Sequence, residues 1–146
     1  MHMISVEQVK IINPELMQAV QGLFPQLTNF SPMPDEADLL EIINSPASSL
    51  WIAKNDGEQI IGMLCLAIYK TTTGVHAWIE DVVVDQKARR QGVAAQMTGA
   101  ALQFSIQNGA KAVSLTSRPE REAANQLYQK LGFELVSTNL YRKILT

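Results

Sequence analysis

Apolar residues recur along the chain with two different periods, and the alternation between the periods predicts its elements. Residues 4–12 have strand character. Asn13-Pro14 then reads as a helix start, since proline at the first turn forfeits no internal hydrogen bond, and Leu16, Val20 and Phe24 fall on one face of a helix over 15–24. After a loop at 28–34, Asp35 can cap a second helix, 36–44, whose Leu39, Leu40 and Ile43 point one way. The period then drops to two. Residues 49–54 and 59–69, joined by Asn55-Asp56-Gly57, have the sequence of a hairpin, and 75–84 adds a strand. Next come a helix near 91–107 ended by Asn108-Gly109, a strand at 112–116, a helix over 120–131 ended by Gly132, and a final strand pair at 133–136 and 140–144. The order β-α-α-β-β-β-α-β-α-β-β predicts an α/β fold with a mixed sheet. The strands flanking the helix near 91–107 are expected to pair in parallel through a right-handed crossover.

Composition narrows this picture. The chain has 146 residues, no internal repeat and no low-complexity tract, so residues 1–146 are expected to form a single domain with one core. A formal net charge of −2 with no basic face argues against nucleic acid or an anionic membrane as partner. The longest apolar run, 60–69, is about half of a membrane span, and the N-terminal pattern is not that of a signal peptide; the expectation is a soluble, cytoplasmic protein. The single cysteine, Cys65, sits in that run and reads as a packed thiol with no chemistry. His2 is given no role, and no metal site is expected.

Candidate chemistry first appears at "VVVDQKARRQGVAAQM", residues 82–97, where a β-branched strand meets a helix through a basic turn with one glycine. The first amides of a helix have no internal acceptor and point outward together, the helix dipole adds partial positive charge, and glycine removes a Cβ that would block an anion. Arg89, Arg90 and Gln91 lead into Gly92, followed by Val93 and the small Ala94 and Ala95, a set that fits a pyrophosphate. Neither Gly-x-x-x-x-Gly-Lys-Ser/Thr nor Gly-x-Gly-x-x-Gly occurs after a strand, which argues against an NTPase and a dinucleotide enzyme.

The stretch Arg89-Arg90-Gln91-Gly92-Val93-Ala94 resembles the Arg/Gln-x-x-Gly-x-Gly/Ala signature of the GNAT superfamily of acyl-CoA-dependent N-acyltransferases. "ANQLYQKLGF", residues 124–133, is similar to that family's second CoA-side motif, a helix carrying a tyrosine and closing in Leu-Gly-Phe. "IEDVVVD", 79–85, looks most like the corresponding strand of glucosamine-6-phosphate N-acetyltransferases. The resemblance implies an acetyl-CoA-dependent N-acetyltransferase that acylates a primary amine of a small molecule or protein directly, without an acyl-enzyme; a homodimer is compatible with it. The alternative is a catalytically silent, CoA-binding regulatory module.

By the same resemblance, the backbone from Arg89 to Ala95 would hold the CoA pyrophosphate. The strand before it would bulge, so that the pantetheine arm could pair with Val82, Val83 and Val84 as an added strand. An alkylammonium is almost fully protonated at neutral pH, so a carboxylate must help remove its proton, and Glu80, mid-strand among apolar residues, is the candidate base. Asp81 faces away from it if the strand is regular. Tyr128 is the candidate acid, returning a proton to the leaving thiolate. Arg121, Asn125 and Tyr128 share a helix face. Many relatives carry an asparagine where this chain has Arg121, so Asn125, or Arg118 with Arg121, would substitute on the CoA side. For the acceptor pocket, His76 and Trp78 share a face with Glu80, with Phe30 in the 28–34 loop and Tyr141 as further candidates.

Overall fold

A computed structural model of the chain describes residues 3–146, and His2 lies outside them. Two compact units divide the chain, Met1–Thr116 and Ser117–Thr146. In the first, the helices begin where capping side chains stand. Asn13 accepts the Leu16 amide at 2.8 Å to open α1, Pro14–Leu27. Asp35 and Asp38 cap each other's backbone amides at 2.9 Å to open α2, Glu36–Asn44, with the bounds the sequence predicts. The first helix runs three residues beyond the predicted end, through Pro25. Proline leaves only the Gln21 carbonyl without its helical donor, and Gln21 is exposed to water, so the turn survives.

The sheet runs β1 (Ser5–Gln8), β2 (Ser48–Lys54), β3 (Ile60–Thr71), β4 (Gly74–Val84) and β5 (Val113–Ser114), in that spatial order. The first four strands are antiparallel neighbours, and β5 joins β4 in parallel after the helix α3, Val93–Gln107, as the β-α-β pattern predicts. Alternate strand residues serve opposite layers. Leu50, Ile52, Met63 and Val83 pack with Leu16, Val20 and Leu23 of α1 and Leu39 of α2. Gly62, one residue from Met63, faces the other way, where a Cβ would lie 3.0 Å from Met97 Cε and 3.2 Å from Val93 Cγ1 of α3. That close approach lets the first turns of α3 lie against the sheet.

The second unit holds α4, Glu122–Lys130, closed by Leu131-Gly132-Phe133. Gly132 is left-handed at φ 95°, its amide bonds to Gln129 O at 3.0 Å, and the Phe133 amide bonds to Tyr128 O at 2.9 Å, a paired C-terminal closure that only glycine accommodates at low cost. The predicted strands at 133–136 and 140–144 are not formed. Leu135, Val136, Leu140, Tyr141 and Ile144 stand in water, and an alternating pattern without a partner strand or an apolar surface has nothing to hold it extended in a ladder.

Candidate active site at the fork of the sheet

The end of β4 is where the fold stops being regular. Among the described residues, strand β5 pairs with β4 only at Ala77 and Trp78, and from Ile79 to Val84 no described strand lies on that side of the β4 main chain. On its other side the register slips. Cys65 lies opposite Glu80 and Met63 opposite Val83, so one residue of β3, Leu64, faces two of β4, Asp81 and Val82. This is a bulge, and Asp81 carries it at φ 55°, a left-handed conformation that aspartate tolerates better than most residues. Asp81 therefore does not simply turn away as in a regular strand; it is exposed beside the exposed Glu80. The extra residue also puts Glu80 and Val83, an odd number apart, on the same face.

Immediately after β4, Asp85 accepts the Lys87 amide at 3.0 Å to open a 3-10 turn, Gln86–Ala88, and the chain turns toward α3. Arg90 at φ 66° and Gly92 at φ 80° are both left-handed, separated by one residue. Left-handed residues in turns of this kind occur where successive amides converge on an anion. Gly92 offers no side-chain cap to α3, whose first amide bonded inside the helix is that of Gln96, to Gly92 O at 3.1 Å. The amides of Val93, Ala94 and Ala95 thus remain as donors at the positive end of the helix dipole. Apart from its chain neighbours, no described atom lies within 4 Å of where a Gly92 Cβ would project, so that side of the turn is open. Arg89 Nε reaches Val84 O at 3.4 Å, folding that side chain back along β4. The turn singled out from sequence therefore sets free helix-start amides just after the β4 edge that has no strand partner among the described residues.

Not every predicted residue joins it. Trp78 and Glu80 share the face of β4 that Cys65 and Met63 present to α1 and α2, and His76 lies on the same face. Yet His76 is four residues up the strand, about 13 Å away, where Nε2 lies 2.8 Å from Thr71 Oγ1 and 2.9 Å from Thr73 Oγ1 and the ring stacks on Tyr69. It belongs to the hairpin end. Phe30 is 96% exposed in the loop after α1 and covers nothing. A residue that the pattern gave no means of finding is Gln26: its Oε1 accepts the Gln86 amide at 2.9 Å and ties the end of α1 to the 3-10 turn. Its partner is 60 positions away and it belongs to no motif.

Within the second unit, Tyr128 is buried and meets Phe133 edge-on at 5.7 Å. Burial pushes its phenol above the ordinary tyrosine range, with the Arg121 charge pulling back, so the group stays protonated at neutral pH. The Asn125 side chain ties down the start of its own helix. Its Nδ2 donates to Arg118 O at 2.9 Å and Arg121 O at 2.8 Å, which uses both hydrogens and leaves only Oδ1 for a ligand. Tyr141 is exposed on the C-terminal segment. Cys65 is a partly buried thiol pushed up to about 12, first by burial and then by the negative charges of Asp81 and Glu80. It is no nucleophile at neutral pH.

Comparison with known proteins agrees with this architecture. The model of the acetyltransferase (GNAT) family matches residues 14–133, most of the chain, and the chain belongs to that family. Over 88 residues it is 28% identical to GCN5-related N-acetyltransferase 6, chloroplastic, of Arabidopsis thaliana, a stretch that is 60% of this chain and 31% of that protein. The chain thus spans about a third of that relative's length. Among solved structures, an aminoglycoside acetyltransferase, meta-AAC0020, from an uncultured soil metagenomic sample, in complex with trehalose, superposes with a TM-score of 0.82 over 97% of both chains at 19% identity, a likeness of fold. AAC(6')-Iy in complex with the bisubstrate analog CoA-S-monomethyl-acetylneamine gives a TM-score of 0.76 at 25% identity, covering 98% of this chain and 99% of that one.

Proposed function

We propose that the chain is an acetyl-CoA-dependent N-acetyltransferase that moves the acetyl group directly to a primary amine of a small molecule or protein. The observation that carries this reading is the pairing of an anion nest, Arg90 to Ala95, with the unpaired β4 edge from Ile79 to Val84. The nest suits the diphosphate of CoA, with Arg89 and Arg90 beside it, and the edge offers Val82, Val83 and Val84 main-chain groups to the amides of the pantetheine arm. Acetyl-CoA supplies an activated thioester. Glu80, exposed at the bulge, takes the proton of the acceptor ammonium, and the freed amine attacks the thioester carbonyl. Tyr128, held protonated, gives a proton to the thiolate as the carbon–sulfur bond breaks, and the second proton shed by the acylated nitrogen restores the phenol. Trp78 lines the acceptor side near Glu80, and no acyl-enzyme forms. The protein acts in the cytoplasm as a homodimer, without metal, nucleic acid or membrane.

The likeness of residues 79–85 to glucosamine-6-phosphate N-acetyltransferases, and the aminoglycoside acetyltransferases among the structural relatives, put amino sugars first among acceptors to assay, ahead of polyamines, amino acids and peptides. Once a responsive amine is found, Glu80→Gln and Tyr128→Phe are each expected to lower kcat about 100-fold or more, the usual loss for a missing acid or base. Full turnover in both variants would instead leave a CoA-binding module with no chemistry at these residues.

A further inference from the structure

The connection from β4 to α3 is pinned from the opposite layer of the fold. Helix α1 packs on the sheet face that carries Met63 and Val83, and α3 lies on the other face, over Gly62. Between them, the Asp85 amide bonds to Ile61 O of β3 at 2.8 Å. The Lys87 amide goes to Asp85 Oδ1 at 3.0 Å and the Ala88 amide to Asp85 O at 2.8 Å. The Gln86 amide opens the 3-10 turn, where a first amide has no acceptor within its own turn. It donates to Gln26 Oε1 at 2.9 Å, in the last turn of α1. From Arg89 to Gln91 no main-chain amide has an acceptor among the described residues. The Gln26 bond is therefore the last that a main-chain amide of this connection makes to another element before α3 begins.

Gln26 is itself held at both ends of its carboxamide. Its Nε2 donates to Gly22 O of α1 at 3.1 Å, which turns Oε1 outward to the Gln86 amide. Leu23, buried in the core three residues earlier, fixes the helix that carries it. A long side chain loses rotamer freedom when it is ordered, and here that cost is met by two bonds instead of one. The bond acts on a turn whose geometry has to be exact. Arg90 and Gly92, both left-handed, lie four and six residues beyond Gln86, and the free amides of α3 follow at once. A displacement at the start of the turn reaches those donors with no further main-chain bond to another element in between.

We infer that Gln26 is a positioning residue for the CoA diphosphate: it touches no ligand and acts through the Gln86 amide, by holding the turn that presents the donors. The role rests on the CoA reading and deepens it. Two variants remove the two halves of the same bond. Gln26→Met keeps the length of the side chain and deletes its polar atoms. Gln86→Pro deletes the donor at a position that suits proline, since Asp85 before it is extended at φ −51° and ψ 134° and the 3-10 turn starts at Gln86. In titration calorimetry with acetyl-CoA on the full chain, each variant is expected to bind about three- to tenfold more weakly than the native chain, the worth of one hydrogen bond, with a thermal midpoint close to native. The double variant is expected to bind no more weakly than the weaker single one, because the second change has no bond left to remove. Native affinity in Gln26→Met, whether or not its thermal midpoint falls, overturns the role, and so do losses that multiply in the double variant. No binding of acetyl-CoA by the native chain overturns the CoA reading, and this role with it.

Discussion

Asp81 is the residue on which the geometry of the fork turns. A left-handed backbone at φ 55° costs an ordinary side chain on the order of 1 kcal/mol, more for a β-branched one, and glycine nothing. Asp81→Gly is therefore expected to keep or slightly raise stability, while Asp81→Val is expected to lose about 1–3 kcal/mol, read from urea unfolding; equal stability of the two variants would mean the bulge does not constrain this position. Cys65, across the ladder from Glu80, gives a second expectation. Its folded thiol keeps its proton up to about 12 whereas the unfolded one releases it near 9.0, so between these values raising the pH ionises only the unfolded chain. Stability must fall across that window. Cys65→Ala should flatten the decline, leaving the smaller contribution of Tyr128, and the native thiol should resist a disulfide reagent at about pH 8, below its folded range, until the chain is unfolded.

Among the elements, α3 matters most, because the donors at its start have value only if the helix is held against the sheet. Gly62 permits that approach, with Met97 and Val93 already 3.0 to 3.2 Å from where its Cβ would lie. Gly62→Ala should be absorbed largely by the flexible Met97, whereas Gly62→Val should cost about 1–3 kcal/mol by overpacking and weaken acetyl-CoA binding as α3 is pushed outward. Calorimetric affinity and thermal midpoint measured together test this. Most elements were legible in the sequence because their signals are local: Asn13, Asp35, Gly92 and Gly132 sit where caps and turns require them. The bulge was expected only through the family resemblance, since "EDVVV" by itself reads as uninterrupted strand and the register with β3 is what locates the extra residue. Gln26 was hidden for the same reason, its bond joining residues far apart in the chain. The last two strands were overpredicted, since alternation at 133–144 declares a face without declaring what covers it.

At the scale of the whole molecule, charge is divided along the sequence in a way the net value of −2 conceals. Residues 11–53, which include α1 and α2, contain acidic side chains and no lysine or arginine, while residues 86–119, which include the turn and α3, contain lysine and arginine and no acid. An anionic carrier is drawn to the second stretch and repelled by the first, and the attraction weakens with salt. Every proposed role depends on the amides from Arg90 to Ala95 holding a diphosphate. Titration calorimetry with acetyl-CoA and with acetyl-pantetheine, which lacks the diphosphate, on the native chain and on Gly92→Val tests this most directly. Saturable binding of acetyl-CoA that weakens at least tenfold both when the diphosphate is removed and in folded Gly92→Val is the predicted result; no heat from millimolar acetyl-CoA, or equal affinity for the two thioesters, would contradict it.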